Sequence, residues 1–505
     1  MFTYRTSDLD LPTAPVYAQH TVSMVIPVTH ADAGCDPGDV ARSPTATREA
    51  PRFDPVHRGG AAASRRDDDV LRIRTGASRA LATRNTKLLA GSVLATALLT
   101  VSGCAGSAGS GGGGGDGGGE GYEYGASQEE INEAIADLEP VTLTVQSGAP
   151  AENSVSGRRT MDYKRAIEEA SNGQIEIEVI WGMAVAGYPE AVDAVADGRV
   201  DISYHLVSYE PQRFPEASAI GTALGSVPYS PLVGEMVANA VGSEIGWNDQ
   251  ALLDRYEGEG VTVITPILAN GAYSLNCNSE INTADTLKGK QVRAGSAPQS
   301  QSLEHFGAVP TSLEFTEAFE ALQRRTVDCD LSPMSAKEIS GIYEAAPHLA
   351  YSTKANWPRF SATYLAGQKF NDLPLAYQQI IFDQGGTLVS GSTQSYVDSN
   401  AVHVTDLASV DGTIAEFDDA FQDELGNFLI ELQDGSIEDG HLPEDIREQI
   451  ADLTDKWTQR VADLGYEDEG TMEEMDEWYS ADDDWSAYAK DVYENTGALD
   501  HRPTE

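Results

Sequence analysis

The sequence has few basic residues for its length. Its 505 residues include 33 Lys and Arg against 80 Asp and Glu, a formal net charge of −47 at pH 7. Proteins that bind nucleic-acid phosphates need cations that displace counterions, so this balance argues against nucleic acid as a partner. Residues 1–103 hold 12 basic and 10 acidic residues, so the acid excess lies beyond them. Because salt screens such a surface, we interpret it as an adaptation to a salty exterior.

Motifs for catalysis and metal binding are also missing. The chain has no Gly-x-Ser-x-Gly nucleophile elbow and no His-Glu-x-x-His zinc helix, which argues against an extracellular hydrolase. The acidic run Asp482-Asp483-Asp484 lacks the spacing and the glycine of a calcium loop. The glycines at 111–119 lack the strand–helix context of a phosphate loop. We therefore predict a protein that is not an enzyme and that holds no metal or cofactor.

Long apolar runs are absent, and the one short run is near the N-terminus. Residues 1–70 show no sustained periodicity, so we expect them to be disordered or untranslated. Residues 71–103 combine a basic stretch with a short apolar run, as a signal peptide does, whereas a membrane span needs roughly 20 apolar residues.

The motif Val101-Ser102-Gly103-Cys104 resembles the lipobox of bacterial lipoproteins, which implies an acylated Cys104 as membrane anchor. The Gly- and Ser-rich stretch 104–125 is typical of a flexible tether.

Cysteine is scarce, with four residues in the chain. Cys35 lies in the N-terminal leader and Cys104 in the lipobox-like motif. Cys277 and Cys329 remain as an even pair in an oxidising compartment, which permits a disulfide. Two buried free thiols are the alternative, and the sequence does not decide between them.

From residue 141 onward, the hydrophobic pattern alternates between strand and helix. Tyr163, Ala166, Ile167 and Ala170 recur at the spacing of an amphipathic helix, and residues 175–181 then alternate with period two. Strands and helices in this order predict an α/β fold with mainly parallel sheets. Two such halves, joined by extended segments, suggest a cleft between two lobes, where small molecules usually bind.

These patterns give the domain boundaries of the predicted fold. Lobe I covers 141–267 and is completed by about 357–390; lobe II covers 268–356 and is completed by about 391–430. The remaining 431–505 form an acidic extension with 24 acidic and 5 basic residues. In it Trp478, Ala481, Trp485, Tyr488 and Val492 share one helical face, which predicts packing against the body, with docking to a membrane partner as the alternative.

Several segments carry a family resemblance through their order and spacing. They are Pro189-Glu190-Ala191-Val192, Gly198-Arg199-Val200-Asp201-Ile202, Leu287-Lys288-Gly289-Lys290-Gln291-Val292-Arg293, Phe315-Thr316-Glu317, Ala321-Leu322-Gln323 and Val327-Asp328. Over roughly 141–425 the chain resembles the substrate-binding proteins of TRAP (tripartite ATP-independent periplasmic) transporters, the four-carbon-dicarboxylate-binding family. The resemblance implies a two-lobed, periplasmic-binding-protein-like (type II) fold, here with extra C-terminal helices. It also implies a receptor that captures a small organic acid and delivers it to membrane permease subunits.

The resemblance also implies a ligand site. Arg293 occupies the position of the family's arginine that grips a substrate carboxylate through both oxygens, a role that suits a planar guanidinium. Arg293→Ala should then abolish acid binding and leave melting nearly unchanged. Phe315 corresponds to the aromatic residue that packs on the ligand. Ser332 stands where the family usually has Asn, and Tyr273 where many members carry a further arginine, which makes a dicarboxylate less secure as the ligand.

Other polar and aromatic residues lie at strand ends where the family lines its cleft. They are Asn356, Trp357, Tyr204, His205 and Ser147. We thus expect an extracytoplasmic solute-binding lipoprotein tethered to the outer face of the cell membrane. An ABC-type solute-binding or sensor lipoprotein is the alternative within the same fold, and an extracellular hydrolase is the alternative from a different class.

Overall fold

The computed structural model describes residues 120–337 and 341–504, so the predicted leader, the signal peptide and Cys104 lie outside it. The strands in this part are β1 Val141–Gln146, β2 Ile175–Ile180, β3 Ile202–His205, β4 Thr262–Leu268, β5 Tyr273–Cys277, β6 Gln291–Ala294, β7 Val309–Ser312, β8 Cys329–Pro333, β9 His348–Tyr351, β10 Ala362–Ala366 and β11 Thr413–Glu416. The helices are α1 Gln128–Ile135, α2 Arg158–Ala170, α3 Ala191–Ala196, α4 Pro215–Ala223, α5 Val233–Asn248, α6 Gln250–Gly258, α7 Ala284–Leu287, α8 Ala297–His305, α9 Ala318–Gln323, α10 Met334–Lys337, α11 Ile342–Ala345, α12 Gln368–Asn371, α13 Leu375–Asp383, α14 Gly385–Ser409, α15 Asp419–Glu438, α16 Ile446–Asp463, α17 Met475–Trp478 and α18 Ser486–Asn495.

The first sheet has five strands in the order β2-β1-β3-β10-β4. β1 pairs in parallel with β2 and β3, while β10 runs antiparallel to both β3 and β4. Alternating apolar residues of β1, among them Leu143 and Val145, are fully buried. Helix α2 supplies Tyr163 and Ile167 to the same core. We call the part of the chain around this sheet lobe I.

The second sheet has six strands in the order β11-β9-β5-β8-β6-β7. Its pairs are parallel except those of β5, which runs antiparallel to β8 and β9. Cys277 of β5 lies opposite Cys329 of β8, and the structure joins the two in a disulfide. A separate hydrophobic cluster fills this region, which we call lobe II. The α/β class and the two-lobed fold predicted from the sequence are confirmed.

The chain passes between the lobes more than once. Residues 269–272 connect β4 of lobe I to β5 of lobe II, and residues 352–361 return from β9 to β10. Each sheet contains one strand that runs opposite to the others and directly follows a segment joining the lobes: β5 in lobe II and β10 in lobe I. Helix α14 packs against α2 and also against α10 and β11. The predicted boundary at 390/391 falls inside this single helix, because its 25 residues serve both lobes.

The predicted tether ends earlier than residue 125. The backbone N–H of Tyr122 donates to Gln379 Oε1 over 2.8 Å, and its hydroxyl donates to Asp383 over 2.9 Å. The ring of Tyr124 lies 5.5 Å from that of Tyr493. Two tyrosines among the glycines thus give this end of the stretch enough apolar surface to dock on the body.

The C-terminal extension packs on lobe I, with α16 against α5 and α18 against α14. Trp485, Tyr488 and Val492 are buried, and the Tyr488 hydroxyl donates to the Met236 carbonyl over 2.6 Å. The single helical face predicted for 478–492 is wrong in one respect, because the helix stops at Trp478 and resumes at Ser486. The acidic run at 482–484 lies in this break, where its repelling charges reach solvent.

Within 120–337 and 341–504, every helix is too short or too polar to traverse a lipid bilayer.

Candidate ligand-binding site

Arg293 is the third residue of β6 and is almost completely buried, with 3% of its surface exposed. Its Nε donates to the Leu313 carbonyl over 2.9 Å and its Nη1 to the Leu331 carbonyl over 3.3 Å. Asp330 Oδ1 lies 3.5 Å from Nη1. The third nitrogen, Nη2, is buried and has no hydrogen-bond partner among the described residues. The protein thus fixes the plane of the guanidinium and leaves one edge for another acceptor.

Aromatic side chains from both lobes surround this free edge. The guanidinium of Arg293 lies 5.6 Å from the ring centroid of Phe315, in cation–π range. Burial raises the pKa of Tyr209, a lobe I residue, and Arg293 lies close enough to oppose that rise. The ring centroid of Phe360 lies 5.3 Å from that of Tyr209 and 5.6 Å from that of Tyr273. Arg293 therefore faces the junction between the lobes.

A glycine allows this close packing around Arg293. A Cβ atom added to Gly295 would lie 2.6 Å from Cζ of Phe360 and 3.2 Å from Nη2 of Arg293. Any side chain at this position would displace the aromatic ring or the guanidinium. The space beside Nη2 thus depends on a residue without a side chain.

A second arginine, which the sequence analysis missed, is buried in lobe I. Arg159, the second residue of α2, has 5% of its surface exposed, and its guanidinium lies 4.2 Å from the ring centroid of Tyr204. Its Nε is buried without a hydrogen-bond partner in the described part of the chain. No carboxylate among those residues lies within 4.0 Å of its nitrogens. Arg159 is therefore a buried cation without a counter-ion from the protein.

Four tyrosines surround Arg159: Tyr188, Tyr204, Tyr364 and Tyr396. Burial raises the pKa of all four, that of Tyr204 to about 12 even though Arg159 opposes the rise. All four hydroxyls are therefore neutral at physiological pH and do not compensate the guanidinium. The Tyr396 hydroxyl is buried and, like Arg159 Nε, lacks a partner among the described residues.

The aromatic rings form a continuous wall between the two arginines. The ring of Tyr188 lies 6.3 Å from Tyr204, beside Arg159, and 5.9 Å from Tyr209, beside Arg293. The wall therefore joins a cationic group in each lobe through tyrosine rings. Such a surface suits a ligand with an apolar, flat body and an acidic group.

Buried polar contacts tie the two crossing segments together next to the site. Asn356 Oδ1 accepts from the backbone N–H of Tyr273 over 3.2 Å, and the Asn356 N–H donates to the Gly225 carbonyl over 2.7 Å. Glu235 Oε2 accepts from Arg359 Nη1 over 2.9 Å, and its Oε1 accepts from the Ala272 N–H over 2.7 Å. Asn356 thus supports the hinge, while its Nδ2 is buried without a partner in the described ranges.

Other predicted site residues lie near the wall but bond to protein groups. The Ser332 hydroxyl donates to Asp330, the residue that also faces Arg293. The Ser147 hydroxyl shares a 2.7 Å hydrogen bond with Thr160, whose hydroxyl is 3.4 Å from that of Tyr364. Both serines therefore act on neighbours of the arginines rather than presenting a side chain directly to the gap.

Two predicted cleft residues lie elsewhere. His205 is on the opposite face of β3 from Tyr204, with its ring 5.8 Å from Phe214 and its Nε2 3.2 Å from Glu210. This placement follows because successive strand residues point to opposite faces. Trp357 is fully buried in the lobe II core. Its ring contacts are Phe306, Phe417 and Phe421.

The sequence contained one signal for Arg159. Position 159 is four residues before Tyr163, so it falls on the apolar stripe of α2, and the structure buries it with Thr160, Tyr163 and Ile167. A charged residue on a buried stripe is a candidate for function. Among the four tyrosines around Arg159, only Tyr204 was expected at the cleft; the isolated positions of Tyr188, Tyr364 and Tyr396 in the sequence gave no indication that they meet.

The described ranges contain no group of three or more His, Cys, Asp or Glu side chains that could hold a metal ion. The groups around the site are two guanidiniums, the Asp330 carboxylate beside one of them, neutral hydroxyls and aromatic rings. Guanidiniums and neutral hydroxyls bind and orient an anion.

Comparisons with known proteins match the chain to a family. The model of the family "Bacterial extracellular solute-binding protein, family 7" (DctP) matches residues 147–434. A solute-binding protein of Verminephrobacter eiseniae is 25% identical over 235 residues, which cover 46% of this chain and 67% of the relative. The C4-dicarboxylate-binding periplasmic protein of Rhodobacter capsulatus is 23% identical over 216 residues, 42% of this chain and 62% of that protein.

Solved structures show the same fold. A marine metagenome TRAP solute-binding protein specific for aromatic acids, in complex with 3-hydroxybenzoate, superposes with a TM-score of 0.54 at 19% identity. The superposition covers 63% of this chain and 99% of that one.

Proposed function

We propose, from the premise that this chain belongs to family 7 of the bacterial extracellular solute-binding proteins, that it captures a small organic acid for a TRAP-type transporter. The family is one of extracytoplasmic receptors. In this role the protein binds its ligand between the lobes, closes on it and presents it to the membrane permease subunits. The permease and the acid are thus its expected partners.

The observation that carries the proposal is the free edge of Arg293. Two backbone carbonyls and Asp330 hold the guanidinium, and its Nη2 alone has no partner in the described part of the chain. A carboxylate oxygen placed there would form a charge-assisted hydrogen bond in surroundings that are little screened. Phe315 on one side and Tyr209 on the other would hold the body of the ligand.

The aromatic walls favour an acid with a flat apolar body over a short, flexible one. The marine metagenome protein of the same fold is described as specific for aromatic acid ligands. The Rhodobacter capsulatus relative binds four-carbon dicarboxylates. The ring contacts around Arg293 in this chain support the first of these ligand types, and we propose an aromatic or similarly planar carboxylate.

The binding experiment compares acids with neutral molecules of the same shape. Calorimetry would measure benzoate and phenylacetate against benzamide and phenylacetamide. We expect the acids to bind and the amides to bind at least roughly 10-fold more weakly, because Nη2 needs an anionic acceptor. Compound released from natively purified protein should be recovered unchanged. Equal binding of acids and amides, or chemical conversion of the acid, would contradict the proposal.

We further propose that Cys104 carries the lipid that anchors the protein to the outer face of the membrane. The support is the lipobox-like motif and the Gly- and Ser-rich stretch that follows it. Acyl chains give membrane affinity in proportion to their buried methylenes. Cys104→Ser should release the protein from the membrane fraction, and mass spectrometry of the wild-type N-terminal peptide should show acyl chains. An unmodified, membrane-free wild-type protein would refute the anchor.

A further inference from the structure

We infer that Arg159 is a second anion-binding position, so that the ligand is a diacid with a flat apolar body and one acidic group held in each lobe. The inference rests on the proposed function and extends it, because it names the group that recognises the far end of the ligand. Arg293 would hold one acid in lobe II, and Arg159 would hold the other in lobe I.

The first argument is that Arg159 differs from the other buried arginines. Three arginines in the described ranges are buried: Arg159, Arg293 and Arg359. Arg359 is paired with Glu235 at 2.9 Å, and Arg293 faces Asp330 at 3.5 Å. A buried cation is costly unless it is paired and hydrogen-bonded. Since Arg159 alone of the three has no carboxylate partner, an anion from outside the chain would complete its surroundings.

The second argument is that another donor next to Arg159 also lacks a partner. The Tyr396 hydroxyl and Arg159 Nε are both buried without hydrogen bonds in the described chain. Buried polar groups in native proteins are nearly always satisfied. One carboxylate between the two would accept from both donors. The tyrosines nearby are neutral and can donate further hydrogen bonds without repelling it.

The third argument is that the helices are packed to hold Arg159 in place. A Cβ atom added to Gly391 of α14 would lie 2.9 Å from the Cα of Arg159. The glycine therefore lets the start of α2 lie directly against α14. The guanidinium then lies over the ring of Tyr204, and the wall continues from Tyr204 through Tyr188 to Tyr209, beside Arg293. A ligand lying along this wall would contact both arginines.

The experiment measures how much a second acidic group adds to binding. Calorimetry gives dissociation constants for two matched pairs: benzene-1,4-dicarboxylate with benzoate, and 1,4-phenylenediacetate with phenylacetate. For the wild-type protein we expect at least one diacid to bind roughly 10- to 100-fold tighter than its monoacid, since a charge-assisted hydrogen bond contributes that much. In Arg159→Gln the preference for the diacid over its monoacid should fall below roughly 3-fold, close to the statistical advantage of a ligand with two equivalent acidic groups. Binding of the monoacid should persist.

Matched variants keep the outcome interpretable. Arg158→Gln alters the neighbouring arginine, which pairs with Asp398 at 3.0 Å on the outer side, and should leave the ratio unchanged. Arg159→Lys keeps the charge and should retain part of the preference, which also covers a Gln variant that fails to fold. If acids bind but no diacid is preferred, or the preference survives in Arg159→Gln, the inference is wrong and the proposed function stands. If no acid binds to the wild-type protein, the proposed function fails as well.

Discussion

All five basic side chains of the C-terminal extension, residues 431–504, lie within ion-pair distance of a carboxylate, whereas Arg159 in the interlobe wall has no such partner among the described residues. The pairs in the extension are Arg447–Asp434, Lys456–Glu244, Arg460–Asp491, Lys490–Glu494 and Arg502–Asp383. The chain has 80 acidic residues, so the absence of a carboxylate near Arg159 is not caused by scarcity.

The difference separates cations that pair within the protein from the cation that we propose for the ligand. In the extension, Lys456 ties α16 to α5 and Arg502 ties the C-terminal segment to α13, while the other three cations pair within the extension. In the wall between the lobes, tyrosines replace carboxylates, and their neutral hydroxyls leave positive charge available. Around Arg159, tyrosines stand where a carboxylate would otherwise neutralise the guanidinium, whereas Arg293 keeps Asp330 beside it.

The largest effect should come from removing the cation of lobe II. Arg293→Gln should weaken binding of carboxylates by more than roughly 100-fold, because it removes the charged donor that the ligand meets in a buried site. It should also lower the free energy of unfolding by about 2–4 kcal/mol, since Asp330 is left buried without a cation. The sequence alone led us to expect nearly unchanged melting; because the structure buries Arg293 beside Asp330, we now predict a loss of stability. Calorimetry and urea denaturation measure the two effects.

An exposed arginine provides the control for Arg293. Arg324 of lobe II has 71% of its side chain exposed and pairs with Glu320 one turn earlier in the helical region. Arg324→Gln should change neither ligand affinity nor stability measurably, because exposed pairs contribute little. If Arg293→Gln binds acids as well as this control does, then the assignment of Arg293 to the ligand is wrong.

The next largest effect should come from removing the carboxylate partner of an arginine in the extension, which would leave that arginine unpaired as Arg159 is. Asp383 accepts from Arg502 Nε over 2.7 Å and from the hydroxyls of Tyr122 and Tyr493. Asp383→Asn would leave Arg502, 9% exposed, as an unpaired cation beside tyrosines. We expect a loss of about 2–4 kcal/mol in unfolding free energy and acid affinity within twofold of wild type. Unchanged stability would show that pairing in the extension has no structural importance.

A smaller effect should come from salt. Residues 431–505 include 24 acidic and 5 basic residues, so the carboxylates of the extension far outnumber its cations and repel each other. Raising sodium chloride from about 0.05 to 1 M should increase the free energy of unfolding, on the order of 1–3 kcal/mol, by screening this repulsion. If screening is the cause, choline chloride at the same ionic strength should raise the free energy of unfolding by a similar amount. A stability that falls with salt would contradict the interpretation of the acidic surface.

Much of the fold could be predicted from the sequence, because hydrophobic periodicity marks each strand and helix locally. Arg293, Phe315, Tyr204 and Tyr273 were expected at the cleft; in the structure Phe315 lies beside Arg293, Tyr204 beside Arg159, and Tyr273 beside Phe360. His205 was misplaced because strand ends alone do not show which face meets the gap. Arg159 was missed because an absent partner is a property of the folded structure.

The smallest effect concerns Asp398, which lies in α14 between the wall and the extension. It accepts from the Tyr479 hydroxyl over 2.7 Å and pairs with Arg158, yet burial raises the pKa of its carboxyl above the usual value. The native state therefore binds this proton more tightly than the unfolded state does. The resulting stability is complete below the unfolded pKa of about 3.9 and is lost as pH rises through the native value.

Asp398→Asn should consequently flatten the dependence of stability on pH. Relative to wild type, the variant should gain stability as pH rises from about 4 to 7, by under about 1 kcal/mol, because the amide never ionises in its buried position. Urea denaturation at the two pH values measures this gain, and diacid affinity should stay unchanged throughout. A variant that instead loses stability between these pH values would show that the pair with Arg158 outweighs burial. Arg158 would then resemble the cations of the extension more strongly, and the contrast with its neighbour Arg159 would be sharper.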